Sequence, residues 1–222
     1  EKMRTVLTLI AFAALSMQAA PKPNVVLILA DDLGWGDVSC YQPGNRFQTP
    51  EIDRIAREGL RMTNAHAPHS VCSPTRYAVL TGRYCWRTFL REGVLPGYAK
   101  PLIAKRRMTL ASLLKQRGYA TGAFGKWHIG MGWTPVKGDP GDFHYGSQIH
   151  ASGSALAAIS RRVNHAAPIS GGPTDLGFDT FFGTPSNRGR IPVFIRDNRV
   201  VGSPLRNKSG LMQDPTMRAD TV

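Results

Sequence analysis

The chain has 222 residues, 42% hydrophobic and 19% charged, which reads as globular and suffices for one substantial domain or two small ones. Its net charge is +13, and removing residues 1–20 takes away one acid, Glu1, and two bases, Lys2 and Arg4, to leave +12. That surplus favours anionic partners, although loss of a more acidic second half accounts for it equally well. With no zinc-finger spacing, RNA-binding aromatic motif or basic heptad in the chain, no nucleic-acid partner is expected.

In chain order, Met3-Arg4 and the apolar run from Val6 to Leu15 read as a secretory signal peptide over 1–20. The run is too short to span a bilayer comfortably, so a secreted or periplasmic protein without a stable membrane span is expected. Glu1-Lys2 then lies upstream of a start at Met3, and Pro21-Lys22-Pro23 cuts the run off. Val25 to Ala30 is continuously apolar and β-branched, the pattern of a strand covered on both faces. Thr49 and Pro50 predict a helix start, Ile52, Ile55 and Ala56 its apolar face, and Gly59 its end. Leu60 and Met62 alternate with Arg61 and Thr63, predicting a second strand. A helix opens at Cys72, with Ser73 as its cap and Pro74 at its first position, and runs to about Leu80. Thr109 caps another helix with the face Leu110, Leu113 and Leu114, ended by Gly118. Tyr119 to Phe124 reads as a third strand.

Residues 134–172 are rich in Gly, Ala, Ser and Pro and read as a long loop, functional or disordered, with a short helix near Ala155 to Val163. Ile191 to Val201 predicts a hairpin, the last twenty residues carry no element, and there are no internal repeats. Strands alternating with amphipathic helices predict an α/β domain with a mainly parallel central sheet flanked by helices. Ligands of such sheets bind beyond the carboxyl ends of the strands. Asp31-Asp32 ends the first predicted strand, Cys72 follows the second, and Lys126 and His128 follow the third, so these residues are expected to converge.

Cys72-Ser73-Pro74-Thr75-Arg76 concentrates the chemistry. A cysteine at a helix N-terminus sits among unpaired N–H groups that attract anions, and Arg76 falls about one turn away. A nucleophile, an anion site and a fixed cation within five residues suit a tetrahedral oxyanion such as a sulfate or phosphate ester. Alone, the same five residues read equally as a capped helix start with a buried thiol.

This pentapeptide resembles the signature of type I sulfatases, in which the cysteine is oxidised to formylglycine. Asn24 to Asp32 resembles the first strand and metal-binding aspartates of that family, and Gly118 to Gly130 resembles its Lys/His segment. The resemblance covers 23–130 and returns at Gly177 to Gly183. It implies an alkaline-phosphatase-like α/β fold, with 21–222 as the N-terminal part of a sulfatase catalytic domain that is truncated at 222 and carries an incomplete sheet. It implies that a formylglycine-generating enzyme matures Cys72, whose aldehyde hydrate attacks sulfur and is later restored by elimination. It assigns Asp31, Asp32 and the modified Cys72 to a Ca²⁺ or Mg²⁺ ion, Arg76 to steadying the nucleophile, and Lys126 and His128 to the substrate. The implied substrate is a sulfated small molecule or glycan. An isolated Asp-Asp pair is otherwise a solvated turn, and Lys-Trp-His a strand end with Trp127 packed in the core.

The family also requires a later Asp-Asn pair, a second His and a second Lys. Asp197-Asn198 reads instead as a hairpin turn, and His165 is a weak match for the second His, so this chain is expected to be inactive alone. Cys40 and Cys85 are free to pair but are taken as free thiols. A phosphate or phosphonate ester hydrolase of the same superfamily, and a non-catalytic anion-binding fragment, are the rival readings.

Overall fold

A computed structural model describes residues 22–138, 158–187, 191 and 193–202. The proposed signal peptide lies outside them, as do residues 139–157 of the predicted 134–172 loop and the last twenty residues. The chain divides into two compact units, Glu1–Arg61 and Met62–Val222.

In the first unit, helix α1 (Pro50–Glu58) starts where the sequence predicts, with Thr49 as N-cap and Pro50 in its first turn. Pro supplies the helical φ at a position whose N–H would bond nothing. Gly59 closes the helix by donating its N–H to Ile55 O at 2.9 Å. The Thr49 hydroxyl does not cap the helix but joins a network with Ser39 and Asp53. Asp53 accepts from the Ser39 hydroxyl at 2.7 Å and from Cys40 N at 2.9 Å. These bonds, that from Ser39 foremost, hold its carboxyl below the usual range.

The predicted strand at Val25 to Ala30 is not formed. The run has no regular structure, and Val26 is 82% exposed. The segment Leu60 to Thr63 is likewise irregular and exposed. A helix closes its hydrogen bonds within itself, whereas a strand exists only beside a partner. Neither segment has a ladder partner among the described residues.

The second unit holds helices α2 (Cys72–Thr81) and α3 (Leu110–Gln116) and strands β1 (Gly122–Lys126), β2 (Thr180–Thr184), β3 (Phe194–Arg196) and β4 (Arg199–Val201). The sheet order is β1-β2-β3-β4. β1 and β2 are parallel, and the other two pairs are antiparallel. The described sheet is therefore mixed. The predicted hairpin is β3–β4, turning at Asp197-Asn198 with Asp197 at φ 56°. The third predicted strand forms as β1, shifted about three residues toward the C-terminus. Of the predicted short helix, 158–160 is helical.

α3 is capped as predicted. Thr109 Oγ1 accepts from Ser112 N at 3.0 Å, and the Ser112 hydroxyl accepts from Thr109 N at 2.8 Å. Its buried residue is Ala111, while Leu113 lies exposed. The core gathers Tyr77, Leu102, Ile103, Trp127, Ile129, Met131, Phe181 and Ile195. Trp127 packs there as expected, edge-on to Phe178 and Phe181.

Asp179 pins the parallel pair at its N-terminal end. Its carboxylate accepts from Thr121 N at 2.8 Å, from the Thr121 hydroxyl at 3.0 Å and from Lys115 Nζ. The Lys115 bond leads the causes that lower its pKa to about 2. A carboxyl depressed on folding stabilises the fold above its ordinary pKa of about 4 and loses that contribution as pH falls toward 2. Asp179→Asn should therefore flatten the stability profile between about pH 4 and pH 2. Urea denaturation across that window reads the difference, and parallel profiles for the two proteins would contradict it.

Candidate active site

Cys72 is the first residue of α2, and its N-cap is Val71 rather than Ser73. Helical geometry therefore begins two residues earlier than predicted, with Pro74 still in the first turn. The change frees the Ser73 side chain from capping. Ser73 is 0% exposed, and its hydroxyl accepts from Leu95 N at 3.1 Å. The helix ends at Gly82, whose left-handed conformation suits a residue without Cβ and whose N–H reaches Ala78 O at 2.8 Å. At the other end, the Thr75 hydroxyl donates to His69 O at 2.6 Å and draws in the preceding loop. His66 and His69 stay exposed there.

Lys126 closes β1 and reaches the helix start. Its Nζ lies 3.1 Å from Cys72 Sγ and donates to it. Arg76 donates through Nη1 to the backbone carbonyl of Lys126. Cys72, Arg76 and Lys126 are thus brought together as the sequence predicts, with Arg76 acting on the backbone that carries Lys126.

His128, two residues beyond Lys126, would share a face with it only if the strand continued, and its φ of 56° ends the extended chain. Its ring is turned inward and is 2% exposed, with Nε2 donating to Leu95 O at 2.9 Å. The backbone N–H and carbonyl of Leu95 are thus taken by Ser73 and His128, linking the helix start to the Lys/His segment. A main-chain contribution of this kind leaves no residue signature, so sequence reading passes over Leu95. Gly130, at φ 76°, lets the same segment press against Lys100, whose carbonyl would lie 2.0 Å from an added Cβ.

Asp31 and Asp32 are exposed, in the first unit. The chain bends at the pair itself, directly after Ala30, with Asp32 at φ 64°. Adjacent residues of a straight strand point to opposite faces, so this conformation removes the obstacle to both carboxylates serving one ion. Their hard oxygen donors suit Ca²⁺ or Mg²⁺. Among the described residues no three His, Cys, Asp or Glu side chains cluster as a metal site.

The later candidates are occupied elsewhere. Asp197 accepts from Phe181 N and the Thr180 hydroxyl, both at 2.9 Å, and so secures the hairpin turn to β2. His165 packs edge-on to Tyr98 and Trp133, with Nε2 3.0 Å from the Tyr98 hydroxyl. Burial lowers its pKa and pushes Tyr98 up to about 12. Cys40, Cys72 and Cys85 are free thiols.

The Sulfatase family profile matches residues 23–192. The chain belongs to the sulfatase family. It is 38% identical over 186 residues to the N-acetylgalactosamine-6-O-sulfatase of Bacteroides thetaiotaomicron, covering 83% of this chain and 31% of that protein. It is 45% identical over 125 residues to human arylsulfatase A, covering 56% of this chain and 24% of the relative. Rat steryl-sulfatase is 47% identical over 172 residues, 75% of this chain and 24% of the relative. A solved structure concerned with the metabolism of multiple glycosaminoglycans by Bacteroides thetaiotaomicron aligns with a TM-score of 0.64 and 37% identity. That match covers 82% of this chain and 32% of the other. The sulfatase chain thus spans about a third or less of these relatives' length, and its fold is the alkaline-phosphatase-like α/β fold. No helix among the described residues is long and apolar enough to cross a membrane.

The Ser73–Leu95 bond generates a prediction for this sulfatase. Ser73→Ala leaves the Leu95 N–H buried without its acceptor, at a cost of about 1–3 kcal/mol. The urea midpoint should fall, and hydrogen exchange at the Leu95 amide should accelerate. An unchanged midpoint with unchanged exchange would contradict the link.

Proposed function

We propose that the protein hydrolyses sulfate esters through a formylglycine made from Cys72, assisted by a divalent cation. The observation that carries the reading is the Lys126 ammonium 3.1 Å from Cys72 Sγ at the start of α2. The sulfatase relatives support the reaction class.

Formylglycine at position 72 would supply a hydrated aldehyde as the nucleophile toward sulfur, in place of the thiol at the anion-favouring end of α2. Lys126 is assigned a sulfate oxygen and keeps negative charge beside the nucleophile favourable. Arg76 holds the Lys126 backbone and so fixes where that ammonium points. His128, anchored by its Nε2–H on Leu95 O, is assigned the orientation of a reacting hydroxyl. Asp31 and Asp32 are assigned to Ca²⁺ or Mg²⁺, which would polarise a sulfate oxygen. Export to the periplasm or exterior, maturation by a formylglycine-generating enzyme, and a sulfated small molecule or glycan as substrate complete the proposal. The complete reaction belongs to a whole catalytic domain, of which this chain would be the N-terminal portion.

Coexpression with a formylglycine-generating enzyme should give a Cys72 peptide carrying an aldehyde, detected by mass spectrometry and hydrazide labelling. Cys72→Ala should abolish labelling, and Cys40→Ala and Cys85→Ala should not. Unmodified thiol, in a host that converts another sulfatase, would sink the assignment. The 222-residue chain alone should show no turnover of a chromogenic aryl sulfate, because catalytic groups that act as a unit leave little when several are missing. Cys72-dependent turnover by that chain would overturn the incomplete-site reading. Preference for aryl phosphate over aryl sulfate in the protein bearing a complete site would move the reaction to phosphate ester hydrolysis.

Metal binding offers a separate check. Two carboxylates are fewer than the six or more oxygen ligands Ca²⁺ takes. Calorimetric titration of the chain should therefore show weak Ca²⁺ or Mg²⁺ binding that Asp31→Ala reduces. Tight binding would mean that other residues complete the shell.

A further inference from the structure

The segment 83–91, just beyond α2, takes no part in the chemistry at Cys72, yet its surface is unusual. Tyr84, Trp86 and Phe89 are 56%, 57% and 50% exposed. Tyr84 and Trp86 are stacked, with centroids 6.0 Å apart and planes 16° from parallel. Between them Cys85 is buried, its thiol turned toward Leu90 O at 3.6 Å. Cys85, Trp86 and Arg87 form a single 3-10 turn with Tyr84 as its N-cap, and with the thiol inward both neighbouring rings lie exposed.

The turn is braced from several sides. The Thr88 hydroxyl donates to Cys85 O at 2.7 Å and accepts from Leu90 N at 3.1 Å. Arg91 Nη1 donates to Trp86 O at 2.9 Å. The rings are therefore held in place without a ligand, and little ordering cost remains for one that binds.

Cations surround the rings. Arg87 and Arg91 are exposed, and Lys100 Nζ lies 4.7 Å from the Phe89 centroid. Arg83 is half-buried, and its Nε is buried with no hydrogen-bond partner. A buried donor without an acceptor is uncommon in a folded protein and calls for an explanation. Glu92 is the carboxylate in this stretch, and it is exposed.

We propose that Tyr84, Trp86 and Phe89, with Arg83, Arg87, Arg91 and Lys100, form a second binding surface for a sulfated glycan, separate from Cys72. Open aromatic faces take the apolar C–H faces of sugar rings, and guanidinium groups pair with sulfate oxygens in a forked geometry. The substrate class rests on the sulfatase reading, but binding at this surface does not require turnover. Single-stranded nucleic acid also combines stacking with phosphate contacts. The sulfatase membership of the chain favours the glycan. From Cys72 to Thr81 is ten residues of helix, about 15 Å at 1.5 Å per residue. The surface therefore lies one helix length along the chain from the nucleophile position, where an extended substrate, rather than a single sugar, has the reach to touch both.

The test uses the full chain and its Cys72→Ala variant, with dextran sulfate, unsulfated dextran and oligo(dT) as probes. Dextran sulfate should bind both proteins equally, and dextran should not bind. Tyr84→Ala/Trp86→Ala should weaken dextran sulfate binding at least tenfold, and Arg87→Ala/Arg91→Ala by a similar factor with a shallower salt dependence. All four side chains are exposed, and circular dichroism checks that each variant folds. Should the aromatic pair fail to fold, the arginine pair decides. Unchanged dextran sulfate affinity in a folded variant would overturn the proposal, as would oligo(dT) binding as tight as dextran sulfate. Equal loss on Cys72→Ala would also overturn it, by placing binding at the catalytic site. An aldehyde at Cys72 with unchanged dextran sulfate affinity in the variants would refute this surface alone and leave the proposed reaction standing.

Discussion

Parallel pairing of β1 with β2 brings together segments far apart in the chain, and bringing the two ends of that long connection together costs entropy before any contact rewards it. Side-chain contacts from Asp179 meet that cost at the point where the strands enter the sheet. One carboxylate takes the Thr121 N–H, the Thr121 hydroxyl and the Lys115 ammonium, which fixes Gly122 opposite Thr180. Farther along, Gly125 and Gly183 face each other so closely that a Cβ on Gly183 would lie 1.8 Å from Gly125 O. A register slip would bring a side chain into that gap. The register therefore has an electrostatic lock at one end and a steric one near the other, and it decides where Lys126 leaves the sheet.

Beyond β1 the chain does not continue as a strand. Trp127 N donates to Thr184 O at 2.9 Å and His128 N to Pro185 O at 3.0 Å, so the pairing is extended for two residues. His128 then adopts positive φ and turns inward. Leu102 N donates to Ile129 O and Met131 N to Ala99 O, tying the segment to 99–102. The start of α2 is held against this segment by three independent links. Lys126 reaches Cys72, Arg76 reaches the Lys126 carbonyl, and Leu95 joins Ser73 to His128. Two of the three run through backbone atoms. Positions set that way depend on the fold more than on any one side chain, which suits a site that must hold a nucleophile within reach of a fixed cation.

Local signals survived into the structure, whereas two of the three predicted strands that depend on a partner, at 25–30 and 60–63, did not form. Pro50, Gly59 and Thr109 mark helix boundaries because each acts on backbone groups within a few residues. The hairpin at Asp197-Asn198 was legible for the same reason, since turn chemistry is local. Val25 to Ala30 carries as clear an apolar pattern, yet apolarity predicts burial and only pairing makes a strand. At the site, Cys72, Arg76 and Lys126 were legible because a motif fixes their order and their chemistry requires their side chains. The inward turn of His128 and the role of Leu95 were not, because both follow from backbone conformation set by distant contacts. Asp179 was visible within a matched segment, but its part in fixing the register appears only when Thr121 stands beside it.

The charge around Cys72 bears on what the proposed chemistry would prefer. Lys126 and the α2 N-terminus both favour an anion at this position, and Arg76 adds a guanidinium beside the Lys126 carbonyl. Such groups stabilise any tetrahedral oxyanion, and they stabilise a dianion more than a monoanion. A sulfate monoester carries one negative charge and a phosphate monoester close to two at neutral pH. Lys126 and the helix end therefore cannot by themselves favour sulfate. Preference for sulfate must come from limiting the total positive charge that meets the ester.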